Sequence, residues 1–411
     1  MRFIYTFLTH LSWGILHVIG LFNQKLKRFT QGRKTTFEQL QNAIKEEDKT
    51  IWMHVASLGE FEQGLPILDE LRSAYAAHII VLTFFSPSGY EVKKNTSSAD
   101  VVTYLPMDTG SNAKKFLDIV KPEIALFVKY EIWPNYLYAL QQRKIPTFLI
   151  SAIFRKNQIY FKWYGGFMRR ALEPFNQFFV QNTRSKELLQ SIGFENIHIS
   201  GDTRFDRVGK ILSTNASLDF MEQFKGQQLC IVSGSTWPQD EEILVDFTNA
   251  SSKNTKFVIA PHDIKPKHIQ KLKSSIDKKT VLFSEREKTS IQNAAVLIID
   301  TVGLLTKIYS YADIAYVGGG FATGLHNTLE PAVYGIPVLI GPDYEGFQEV
   351  EDLVGLGGVM AIKNSKEFNE RMQDLLEDAV ERKHLGKVNS DYIDKNRGAT
   401  TKVIAYIKDF L

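Results

Sequence analysis

The stretch Tyr316-Val-Gly-Gly-Gly-Phe-Ala-Thr-Gly-Leu-His-Asn-Thr-Leu-Glu-Pro331 narrows the fold more than any other part of this chain. An apolar run over 313–317 reads as a buried strand. It stops at Gly318, Gly319 and Gly320. Gly324 then leads into His326, Asn327 and an expected helix start. Backbone amides freed by a glycine loop and aimed by a helix N-terminus favour anions, phosphate above all. Glu330 falls one turn into that helix, where a carboxylate can take two ribose hydroxyls. A second apolar run, 335–342, comes next at strand spacing. Strand, glycine loop, helix, strand is half of a nucleotide-binding sheet. The plainer reading is that the glycines only serve tight turns.

The rest of the chain repeats the same grammar. Short apolar runs at 51–56, 78–84, 123–128, 146–152, 177–181 and 197–200 alternate with amphipathic segments. A second series runs through 228–233, 256–260, 281–283, 295–299, 313–317 and 337–340. Such alternation predicts parallel sheets with helices on both faces. A polar pause at 201–226 separates the two series. The chain has 411 residues, which suits two domains rather than one core. The expected organisation is an N-terminal anchor at 1–24, a Rossmann-like domain at 25–205, a second at 206–390, and a closing helix at 391–411 that crosses back to the first. Two doubly wound domains facing a central cleft bind ligands at their strand ends.

A net charge of only +3 argues against nucleic acid as the main partner. The single cysteine, Cys230, sits in an apolar run and reads as a small core residue. Residues 3–24 contain no Asp, Glu, Lys or Arg, and Lys25, Lys27, Arg28, Arg33 and Lys34 come directly after. The length suits one membrane crossing, and the interspersed His, Ser and Thr equally suit a helix lying in the interface. The basic flank places the remainder of the chain in the cytoplasm.

Other segments carry site chemistry. In His54-Val-Ala-Ser57-Leu-Gly59-Glu60, a strand ends at a Ser/Gly turn and a carboxylate opens the next helix. Glu60 there is either a general base toward a hydroxyl or an acid that complements the helix dipole; Glu62 competes for both roles. Ser86, before Pro87, Ser88 and Gly89, either meets a polar ligand or caps a helix. Glu131-Ile-Trp133-Pro-Asn135 bunches a carboxylate, an indole and an amide after a buried strand, which fits a sugar site or a packed Trp beside a capping Asn. Ser233-Gly-Ser235-Thr236 has the shape of a second phosphate turn, without the Lys of a P-loop. Pro261 and His262 end the next strand. No HExxH pattern and no Asp-x-Asp appear among the residues, so metal binding is not expected.

These motifs together resemble the 3-deoxy-D-manno-octulosonic acid (Kdo) transferases along nearly the whole chain. The resemblance rests on Ala56-Ser-Leu-Gly-Glu60, Tyr104-Leu-Pro-Met-Asp108, Glu131-Ile-Trp-Pro-Asn135, Ser233-Gly-Ser-Thr236 with Glu241-Glu242, and His326-Asn-Thr-Leu-Glu-Pro331. It implies a GT-B glycosyltransferase that moves Kdo from CMP-Kdo to the lipid A precursor at the cytoplasmic side of the bacterial inner membrane, inverting the anomeric centre, with no metal and no cofactor. It implies Glu60 as catalytic base. It implies CMP contacts from Pro261, His262, Val302, Gly303, Leu304, Asn327, Thr328, Leu329 and Glu330. Ser57, Gly59, Ser86, Glu131, Asn135, Ser235, Thr236, Gly319 and Gly320 are further candidates for donor or acceptor contact. The chain departs from the family pattern in carrying His262 where Arg is usual, Leu304 where Glu is usual, and Gly201-Asp-Thr-Arg204-Phe-Asp206 where Gly-Asn-x-Lys-Phe-Asp is usual. Two rivals share the fold: a transferase using a UDP-sugar and a lipid acceptor, and a nucleotide-sugar epimerase. A membrane-tethered nucleotide-binding scaffold is the non-enzymatic alternative.

Overall fold

The structure is a computed structural model and describes residues 1–212, 217–251, 255–322 and 324–411, with the side chain of Lys25 outside that description. Part of the expected polar boundary, 213–216, and Thr323 of the glycine stretch therefore lie outside the described residues. The chain forms two units, Met1–Arg207 with Asn396–Leu411, and Val208–Lys395.

The first unit is built on seven strands: β1 Thr50–Val55, β2 Ile79–Phe84, β3 Val101–Tyr104, β4 Pro122–Val128, β5 Thr147–Ala152, β6 Gln177–Val180 and β7 Ile197–Ile199. All are parallel, in the order β3-β2-β1-β4-β5-β6-β7. The order reverses between β1 and β4, the place where doubly wound sheets open a crevice. β1 is buried on both faces, as a central parallel strand covered by helices must be. Trp52, Phe116, Phe127 and Tyr136 pack on one side of the sheet. Met53, Phe61, Leu68 and Phe148 pack on the other.

The second unit carries β8 Leu229–Thr236, β9 Thr255–Pro261, β10 Thr280–Leu282, β11 Val296–Ile298, β12 Ile314–Val317, β13 Val338–Ile340 and β14 Val359–Ala361, ordered β10-β11-β9-β8-β12-β13-β14. Its crevice falls between β8 and β12. Cys230 is a fully buried residue of this core, and burial pushes its thiol up to about 12.

Both units are thus doubly wound parallel α/β sheets. Sequence periodicity misses β3 and β14, and both are edge strands with a neighbour on one side only. Edges need less apolar surface, so Val-Val-Thr-Tyr and Val-Met-Ala carry little signal.

The division between the two units falls inside the polar pause at 201–226, where helices Thr203–Ile211 and Asp219–Lys225 form. One expectation needs correction. The closing segment is not one helix over 391–411. A helix Ala379–Asn396 ends, Gly398 turns at φ 102°, and a second helix runs Ala399–Ile407. A positive φ is cheap only for glycine, which is why the break falls there. The Asp206 carboxylate accepts from the Gly398 and Thr400 amides at 2.5 and 2.6 Å. Val403 and Ile407 then bury against Ile67, Leu68 and Phe148 of the first unit.

Helix Arg2–Gly20 also packs on the first unit. Tyr5, Thr6, Thr9, Trp13, Leu16, His17 and Gly20 turn inward at helical spacing, while Phe3, Ile4, Phe7, Leu8, Leu11, Ile15, Val18 and Ile19 are exposed. Arg2 Nε donates to Asn135 Oδ1 at 3.1 Å, and the Trp13 and Phe29 rings meet edge to face.

Candidate functional site

In the first unit the candidate residues gather at the β1/β4 reversal. β1 ends at Val55, Ser57 caps helix Leu58–Ala74, and Glu60 is its third residue. The Ser57 hydroxyl accepts from the Glu60 amide at 3.4 Å, while Glu60 Oε2 accepts from the Ala56 amide at 2.6 Å and the Ser57 amide at 3.0 Å. This reciprocal arrangement is a capping box. It also fixes the carboxylate at the strand-end crevice. Burial first and nearby Glu131 second push the Glu60 carboxyl up, the two amides and Lys129 pull it back, and the net position is about 7. Helix capping and a base poised near neutrality are therefore compatible in one residue. Glu62 instead pairs with Lys93 at 3.3 Å and with Arg207.

Glu131 comes just after β4 and is nearly buried; its Oε2 accepts from Trp133 Nε1 at 2.9 Å. Asn135 takes a different part. It is buried, its amide side chain donates to the Asp108 carbonyl at 2.7 Å, and its oxygen accepts from Arg2 and Thr6 of the first helix. Asp108 accepts from the Asn135 and Tyr136 amides and from the Tyr5 hydroxyl. Burial raises its carboxyl to about 6 against the pull of those bonds. The Tyr104–Asp108 and Glu131–Asn135 signatures thus join each other and the N-terminal helix. Ser86 caps helix Pro87–Lys93 by accepting from the Gly89 amide at 3.3 Å. Gly59 is uncrowded among the described residues: an added Cβ would meet Ser57 Oγ at 4.0 Å.

In the second unit the glycine loop differs from the expected open cradle. Asp240, fully buried near the start of helix Pro238–Ala250, accepts from the Gly319 amide at 2.9 Å and the Trp237 amide at 2.8 Å. Its other oxygen accepts from the Tyr316 hydroxyl at 2.6 Å. The Gly318 amide donates to the Gly234 carbonyl at 2.9 Å. The glycines permit close approach: a Cβ on Gly320 would lie 2.8 Å from the Gly341 backbone, and one on Gly318 2.5 Å from the Ser235 carbonyl. The physical reason for this correction is that a buried carboxylate already fills the position an anion would take at Gly319. The helix expected after Asn327 is also short, Leu329–Ala332, so it offers little dipole.

Around this loop the strand-end residues converge. Trp237, His262 and His326 stack in sequence, with ring centroids 4.6 and 4.7 Å apart. Trp237 Nε1 donates to His326 Nε2 at 3.0 Å, so that nitrogen carries no proton in this arrangement. Burial lowers the His326 imidazole, and adjacent His262 lowers it further. Glu330 Oε1 accepts from Asn327 Nδ2 at 3.2 Å and Oε2 from Thr306 at 2.6 Å. Thr306 comes soon after Val302, Gly303 and Leu304, so that segment and 327–330 are neighbours. Val302 is 80% exposed, Gly303 turns at φ 90°, and Leu304 packs toward the core. The Thr328 hydroxyl is buried without a partner among the described residues. Ser235 adopts φ 57° at a bulge in β8 beside Pro261, and the buried Thr236 hydroxyl donates to Glu241 at 3.0 Å.

Sequence reasoning misses Asp240, Thr306 and the Trp237–His326 bond. Asp240 is legible as an acid three residues after a helix-capping position. The other two depend on tertiary proximity alone. Among the described residues no group of three or more His, Cys, Asp or Glu side chains is placed to hold a metal ion.

Comparison with known proteins agrees with this anatomy. Residues 25–207 match the profile of the family described as 3-deoxy-D-manno-octulosonic-acid transferase (kdotransferase). The 3-deoxy-D-manno-octulosonic acid transferase of Haemophilus influenzae is 27% identical over 430 aligned positions, covering 100% of this chain and 99% of that protein. The enzyme of the same name from Aquifex aeolicus is 28% identical, covering 84% and 92%. The UDP-GlcNAc 2-epimerase of Neisseria meningitidis has a similar fold, with a TM-score of 0.63 at 17% identity over 88% of this chain and 100% of that one. The two doubly wound units have the make-up of the GT-B class. With motifs, fold and relatives in agreement, the chain is similar along its whole length to the 3-deoxy-D-manno-octulosonic acid transferases, which are glycosyltransferases, and residues 25–207 match that family's model.

Proposed function

We propose that this enzyme moves Kdo from CMP-Kdo to the lipid A precursor lipid IVA during lipopolysaccharide synthesis, with Glu60 as general base and without metal or cofactor. The observation that carries this reading is Glu60 itself: a buried carboxyl raised to about 7, held by two backbone amides at the β1/β4 reversal. Kdo is a ketose acid without a 3-hydroxyl, so its C2 gains oxocarbenium character readily. In the transfer, a glucosamine hydroxyl of the acceptor forms the new bond to C2. The bond from C2 to the CMP phosphate breaks, and the electron pair leaves with CMP. Glu60 takes the hydroxyl proton, and one displacement inverts C2. For the donor, the reading assigns CMP contacts to Pro261, His262, Val302, Gly303, Leu304 and the 327–330 segment. The proximity of Glu330 to Thr306 and Asn327 supports that grouping.

The acceptor is a lipid, and the N-terminal helix suits a bilayer. It is apolar enough to cross one, with a mean hydropathy of 1.3 and 6% of that stretch buried. Its inward stripe is occupied by protein contacts and its outward face is aliphatic and aromatic. We infer that it lies in the cytoplasmic face of the inner membrane with that outward face in lipid. Trp163, 90% exposed, and Tyr164 extend the aromatic surface of the same unit.

Purified protein incubated with CMP-Kdo and lipid IVA, with products weighed by mass spectrometry, tests the reading. A mass gain of one or more Kdo residues supports it. Turnover with a UDP-sugar in place of CMP-Kdo, or epimerisation of a UDP-sugar, replaces it with one of its rivals.

A further inference from the structure

His54 lies on β1, fully buried, and the catalytic reading leaves it unused. Its Nδ1 sits 3.1 Å from the Thr83 carbonyl oxygen and 2.9 Å from the Thr83 hydroxyl. A carbonyl can only accept, so this network assigns the ring proton to Nδ1. On the far side of the ring, Nε2 is buried and has no hydrogen-bond partner among the described residues. Glu131 Oε2 stands 3.4 Å away, within ion-pair range but off the hydrogen-bond line. That same oxygen accepts from Trp133 Nε1. The Phe127 and Trp133 rings pack edge-on against the imidazole.

A bare Nε2 lone pair facing a buried carboxylate is repulsive. One additional proton between the two atoms removes the repulsion, whichever atom holds it. With that proton the His54–Glu131 pair has no net charge. Without it the pair carries one negative charge, a short way from Glu60.

We propose that His54 is a positioning residue for the transfer reaction: it holds Glu131, with one shared proton, beside Glu60, and so limits the negative charge that the base must face. This rests on the reading of Glu60 as the base. Glu131 is the largest charged contributor that pushes the Glu60 carboxyl up, after burial. The other groups facing Glu60 are Lys129, which lowers it, Tyr130, and the Ala56 and Ser57 amides. Lys129 is in turn faced by Arg204, Asp202 and Arg155. None of these changes when His54 is replaced.

The test is His54→Gln, which keeps an amide donor toward Glu131 but cannot carry the extra proton. Transfer from CMP-Kdo to a lipid acceptor in detergent is measured from about pH 5 to about pH 9. We expect KM to stay within about threefold, kcat at pH 7 to fall by about tenfold, and the acid limb of kcat/KM to move up by about one pH unit. Adding Glu131→Gln to His54→Gln should move the limb back to about its wild-type position. A folded His54→Gln whose limb does not move overturns the proposal, since a purely structural role lowers kcat at every pH alike. Carbon NMR titration of the Glu60 carboxyl in the resting protein reads the same coupling without substrate. It separates the two readings: absence of transfer by the wild type removes the catalytic one, while the Glu60 titration still decides on the pair. If His54→Gln does not fold, Glu131→Gln alone should leave the Glu60 midpoint close to wild type, because the pair it disrupts is neutral, and a fall of about one pH unit or more overturns the proposal.

Discussion

The Tyr5 hydroxyl donates to Asp108 Oδ2 across 2.8 Å, joining the first helix to a loop 103 residues further along the chain. The same carboxylate accepts the Asn135 and Tyr136 amides. Replacing Asp108 by Ala strands two buried amides and a hydroxyl, each costing about 1–3 kcal/mol. Asp108→Ala should therefore lose at least about 2 kcal/mol in chemical denaturation, and Tyr5→Phe about 1 kcal/mol. Equal stability of Asp108→Ala and wild type would contradict this role.

Removal of residues 1–24 tests the membrane reading in the same region. The truncated protein should leave the membrane fraction, act poorly on acceptor in bilayers and better on acceptor in detergent. Because the helix is bonded to Asn135 and Asp108, the protein should also melt at a lower temperature. Retention on membranes after a high-salt wash would move the anchor elsewhere, first to the aromatic and basic segment 160–170.

Glu60→Gln keeps an acceptor for the Ala56 and Ser57 amides while removing the base. Turnover should fall by about 10²-fold or more in kcat, with CMP binding retained. Near-normal kcat in calorimetrically competent protein would make Glu62 the next candidate.

The pH dependence comes from the same carboxyl. A base must be ionised, so kcat/KM should fall as pH drops through about 7. The folded protein also holds this proton more tightly than the unfolded chain, whose carboxyl keeps its ordinary value of 4.5. The cost of ionising Glu60 in the fold is thus absent below that value and grows as pH rises to about 7. Relative to wild type, Glu60→Gln should gain stability over that window. A stability difference that stays flat with pH would show that Glu60 is not perturbed.

Glu330→Ala should weaken CMP binding in calorimetry by about 1–3 kcal/mol, the range for hydrogen bonds to a charged group. Unchanged affinity in folded protein would remove Glu330 from the nucleotide site. Activity should survive excess EDTA, and loss restored by a divalent cation would refute the metal-free reading.

Much of this protein is legible in the order of its residues. Twelve strand-like runs, their parallel arrangement in two series, and the capping pattern Ser57-Leu-Gly-Glu60 all emerge from local periodicity and turn chemistry. Those signals act within a few residues, so the chain itself carries them. Tertiary structure decides the rest. The glycine loop reads as an anion cradle until Asp240, 79 residues away, is seen to occupy the Gly319 amide. Asn135 reads as a sugar ligand until Arg2 and Thr6 arrive from the other end of the unit. Glu60 reads first as a helix-start acid and second as a base until burial and Glu131 raise its carboxyl. In each case the outcome depends on which buried polar group finds which partner. That pairing is set by sheet order and helix packing, and no local pattern encodes it.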